Sequence, residues 1–82
     1  MTVYDINVPP DRTCEGLKLG DHKGQRLFLL QNPYPTWAYD HVRLALVDDN
    51  DTAYRIWHAD SPQVPRWAKE LYSAFIQRLI HK

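Results

Sequence analysis

The C-terminal stretch of the chain fixes most of what it can become. Trp67, Ala68, Leu71, Tyr72, Phe75, Ile76, Leu79 and Ile80 recur at helical spacing behind a start marked by Pro62 and Pro65, which is the pattern of one helix with an apolar face. A helix of this kind gains its stability from packing that face on another apolar surface. Everything before it alternates or turns in the manner of short strands, so the partner surface is a sheet. On a helical wheel the apolar residues sweep roughly 220°, broader than contact with one sheet face requires. Ile76 and Ile80 lie at the edge of that arc. The expectation is a curved sheet that wraps the helix; the alternative is that the extra edge meets a second copy or another protein.

The strands follow from period-two patterning and turn chemistry. Tyr4, Ile6 and Val8 share one side of a strand from Val3 to Val8, which Pro9 and Pro10 stop. After a polar segment through Asp11, Arg12 and Thr13, a strand at Leu17 to Leu19 and another at Gln25 to Gln31 flank Gly20, Asp21, His22, Lys23 and Gly24. Two glycines around a polar trio predict a hairpin with a loop of about five residues. Leu27 to Leu30 are apolar on both faces, as in a central strand. Asn32, Pro33, Tyr34, Pro35 and Thr36 then break the pattern, because the prolines remove donors and push preceding residues toward extended geometry.

A further strand runs from about Tyr39 to Val47, with Val42, Leu44 and Leu46 on one face. Its partner runs from about Thr52 to His58, joined through Asp48, Asp49, Asn50 and Asp51, whose short side chains can cap their own backbone. Which face of this last strand is buried is ambiguous: Tyr54, Ile56 and His58 share one side and Ala53, Arg55 and Trp57 the other. Asp60 or Ser61 is expected to cap the helix, with Pro62 near its first position and Pro65 tolerated in the first turn. The expected fold is therefore α+β: an antiparallel sheet of four or five short strands, forming two hairpins, packed by one C-terminal amphipathic helix. A single domain covers residues 1–82, with strands within about 3–58 and the helix at about 62–81. A chain this short buries about 60 to 65 % of its unfolded surface.

Charge removes some function classes. Ten acidic and ten basic side chains cancel, which withdraws the usual electrostatic argument for nucleic acid or an anionic membrane. The charge is segregated, however. Asp40, Asp48, Asp49, Asp51 and Asp60 outweigh Arg43 and Arg55 in the middle, whereas Arg66, Lys69, Arg78 and Lys82 outweigh Glu70 at the end. Cys14 is the one cysteine, so no disulfide forms within the chain and a reducing, cytoplasmic compartment is expected. No stretch approaches the length of a bilayer span, and Met1 to Asp11 has no basic region followed by an apolar run, so a soluble protein is expected.

No constellation of catalytic or metal-binding residues carries a signature. His22, His41, His58 and His81 are too far apart in sequence for local metal pairing. His58 and Asp60 could orient one another for acid-base work, a minor enzymatic alternative. Gly16, Gly20 and Gly24 lack the lysine and serine or threonine that end a phosphate-cradling loop. A calcium loop starting at Asp49 would need glycine where Tyr54 stands. Cys14 has no local base. No enzyme activity, cofactor or metal is expected.

The segment from Asn32 to Tyr39 differs in kind, setting Tyr34, Trp37 and Tyr39 beside Pro33 and Pro35. Such aromatics supply contact area at low entropic cost when they anchor an interface. The expected function is a small non-catalytic protein-binding module, an accessory or inhibitor that occludes a larger partner. Its contacts are Tyr34, Trp37 and Tyr39, a sheet edge, or the acidic hairpin with Asp48, Asp49 and Asp51. A homodimer is the other use open to the extra edge of the helix arc. The alternative is a single-strand nucleic-acid binder that stacks bases on Phe28, Tyr54, Trp57 or Trp37 and meets phosphates with Arg26, Arg43 and Arg55.

Overall fold

A computed structural model describes residues 3–30 and 43–80. Five strands, β1 (Val3–Val8), β2 (Arg12–His22), β3 (Gln25–Leu30), β4 (Arg43–Val47) and β5 (Ala53–His58), precede one helix, α1 (Arg66–Ile80). All neighbours pair antiparallel in the order β1-β2-β3-β4-β5. The expected α+β fold, with its antiparallel sheet and one C-terminal helix, is the observed one. β3 lies at the centre, where its two apolar faces are both covered.

The second strand is longer than its apolar content suggests. β2 begins at Arg12 and runs through Gly20 and Asp21 to His22, pairing first with β1 and then with β3. The expected loop of about five residues contracts to Lys23 and Gly24, since His22 pairs with Gln25. Both loop residues have positive φ, 50° and 81°, the backbone of a two-residue turn that matches strand twist. Polarity misled at Asp21 because strand pairing tolerates a polar side chain on an exposed position.

The sheet curls. β1 and β5, at opposite ends of the order, meet where Asn7 bridges Thr52 and the Asn7 amide donates to the Asp51 carbonyl at 2.7 Å. The concave side encloses Ile6, Val8, Phe28, Leu30, Ala45, Val47 and Ala53. Gly16 floors this interior: a Cβ there would stand 2.6 Å from Ile6 Cγ1, a distance that admits only glycine. The helix packs on the convex side, against Leu19, Leu27, Leu44, Leu46 and Trp57 through Ala68 and Phe75. This corrects the expectation that a curved sheet wraps the helix: the curvature runs the other way, around a second core.

An irregularity between Leu46 and Val47 in the pairing of β4 with β5 resolves the ambiguous last strand. Leu46 faces Arg55 and Val47 faces Ala53, leaving Tyr54 as the extra residue of a bulge. Ala53 is thereby turned into the concave core and Trp57 into the convex one, although strict alternation would set them on one face.

The helix also starts later than expected. Ser61 caps a preceding turn, accepting from the Gln63 amide at 3.2 Å, and Val64 tucks into the convex core. The first helical carbonyl is that of Pro65, which accepts from the amides of Ala68 and Lys69. Proline disfavours helical geometry in the residue before it, so α1 begins at Arg66 rather than near Pro62.

Candidate binding surfaces

α1 crosses the convex face above β2. Leu71 fills the space over Gly20, where a Cβ would come within 3.0 Å of its side chain. One turn earlier Trp67 stacks on His22, with ring centroids 4.7 Å apart and planes 13° from parallel. Glycine at one position and a flat ring at the other let the first half of the helix approach the β2–β3 hairpin closely. Asp21, His22, Trp67, Glu70 and Leu71 border a shallow concavity of about 220 Å³ there. Its carboxylates are already engaged: Asp21 pairs with Lys18 at 3.1 Å and Glu70 with Arg66 at 3.2 Å.

The second half of the helix outruns the sheet. Ala68 and Phe75 are buried, Tyr72 and Ile76 are half-buried, and Leu79 and Ile80 are 45 % and 67 % exposed. Tyr72, Ile76, Leu79 and Ile80 stand at i, i+4, i+7 and i+8, so they form one continuous apolar stripe along the helix. The wheel in the sequence placed Ile76 and Ile80 at the edge of the arc; Ile76 packs half-buried against the convex core, and Ile80 is open. Leu79 is exposed for a different reason: it lies on the same face as Phe75, but one turn beyond the residues that cover Phe75.

The acidic turn between β4 and β5 is a clamp. Asp48 Oδ1 accepts from the amides of Asn50 and Thr52 at 2.9 and 3.0 Å, the self-capping expected of such a cluster. Asp51 sits at φ 58°, and its Oδ1 meets both terminal nitrogens of Arg26 at 3.2 Å. Arg26 also donates to the Asp48 carbonyl at 2.8 Å, and Asn7 Nδ2 donates to the Asn50 carbonyl at 3.3 Å. The turn therefore ties β1, β3 and β5 together at the seam where the sheet closes. Asp48 and Asp51 are spent on this work, while Asp49 is exposed. Tyr34, Trp37 and Tyr39 lie outside the described residues.

The groups on which base stacking would rest are mostly enclosed. Phe28 has no exposed surface and Trp57 is buried. Phe28 packs edge-on against Tyr4 at 5.2 Å, and the Arg26 guanidinium lies 5.1 Å from its ring centroid. Arg43 is 7 % exposed; burial lowers its pKa and the charge of Asp60 opposes that shift. Tyr54, 53 % exposed, and Arg55 remain at the surface, with Arg55 over the Trp57 ring at 5.3 Å. Each sheet face is committed, one to the concave core and one to the helix.

Among the described residues, no group of three or more His, Cys, Asp or Glu side chains converges as metal ligands, and no helix is long and apolar enough to cross a membrane. His58 and Asp60 are both exposed at the end of β5. Burial pushes the Cys14 thiol up to about 11, the wrong direction for a nucleophile. Reaction of Cys14 with a disulfide reagent at pH 8 is expected to be about a hundredfold slower than that of an unfolded cysteine peptide, the thiolate deficit of a shift of about two units. Between about pH 9 and 11 the folded chain keeps a proton that the unfolded chain releases, so stability falls as pH rises through that window. A rate equal to that of the peptide would place the thiol outside the core. Comparison with protein-family models, curated proteins and solved structures finds no match.

Proposed function

We propose that the chain is a small non-catalytic protein-binding module, an accessory or inhibitor protein that occludes a larger partner. The observation that carries this reading is the end of the apolar stripe, where Tyr72 and Ile76 still pack half-buried on the convex core and Leu79 and Ile80 stand in the open. It continues the helix's core-facing pattern into solvent, with Ile80 67 % exposed. Large apolar side chains at helical spacing are what a helix presents when it packs against another protein. A rise in the pKa of the one cysteine, to about 11, argues against nucleophilic chemistry. Enclosure of Phe28, Trp57 and Arg43 argues against the single-strand alternative. Tyr34, Trp37 and Tyr39 are proposed as additional contacts on their composition alone.

The test is affinity capture from the lysate of the native host, treated with nuclease, comparing the parent chain with a Leu79→Asp, Ile80→Asp variant. Both positions are exposed, so the variant should melt within a few degrees of the parent. The expected result is a stoichiometric protein whose recovery falls at least about tenfold with the variant, as for an interface anchor. Equal recovery would move the contact off this stripe, and loss of all recovery on nuclease treatment would return the reading to nucleic acid.

A further inference from the structure

We draw no further inference here: the strongest candidate, the apolar surface patch at the end of α1 where Leu79 and Ile80 stand exposed, belongs to the surface already described, and nothing in the structure shows what covers it.

Discussion

Phe28→Ala is expected to lower the unfolding free energy by about 3 to 5 kcal/mol, the usual cost of emptying a buried aromatic site. Phe28 is fully enclosed on the concave side of the sheet, and its neighbours cannot close around the void. Gly16 beneath it has no side chain to shift inward, and the backbone of β2 is fixed by pairing with both β1 and β3. Ile6 and Leu30 already approach within contact distance of the Gly16 position. The substitution also removes the edge contact with Tyr4 and the surface over which Arg26 lies, loosening the side chain that holds Asp51 at the seam. A domain of this size has a total stability of about 4 to 12 kcal/mol, so the variant loses a large share of it. Urea denaturation followed by tryptophan fluorescence measures the effect, and a midpoint within about 1 kcal/mol of the parent would show that the concave side is not a packed core.

This concave core was only half legible in the sequence. Tyr4, Ile6 and Val8 announce one buried face, and Leu27 to Leu30 announce two. Nothing local says that the two edge strands meet. That closure depends on Asn7, Arg26 and the turn from Asp48 to Asp51, whose side-chain bonds join residues from 22 to 43 positions apart in the chain. Isolated polar residues carry no periodicity, so pattern reading cannot pair them. The bulge in β5 was hidden for the same reason. It depends on how β4 presents its bonds, and it places Ala53 and Trp57 in opposite cores against their spacing.

The surface of α1 was more legible than the sheet. The apolar arc was visibly too broad for one contact, and Ile76 and Ile80 were at its edge. What the wheel could not supply was length: Leu79 shares the face of Phe75, and only the position of the sheet decides which of them is covered. The stack of His22 on Trp67 had no signal at all, because two rings 45 positions apart meet only once β2 extends to His22 and α1 is delayed to Arg66. Tyr34, Trp37 and Tyr39 stand where composition placed them, as candidates by residue type.

Phe75→Ala separates the two halves of that argument about the helix. It is expected to cost about 3 to 5 kcal/mol, because Phe75 is the large side chain of α1 that is buried in the convex core with Leu44, Leu46 and Trp57. Ala68, the other buried residue of the helix, is too small to hold it alone, Leu71 and Trp67 anchor only its first turns at Gly20 and His22, and Tyr72 and Ile76 pack on the core only half-buried. Loss of Phe75 therefore loosens the second half of α1 on the sheet, and amide exchange there should rise toward the rate of a frayed terminus even where the strands stay protected. Ile80→Ala, five positions on, should change stability by no more than about 0.5 kcal/mol, as for a surface substitution, because 67 % of its surface is already in water. Equal losses at the two positions would mean that the end of the helix is covered by the chain itself, and the apolar stripe would then be core rather than a place for a partner to land.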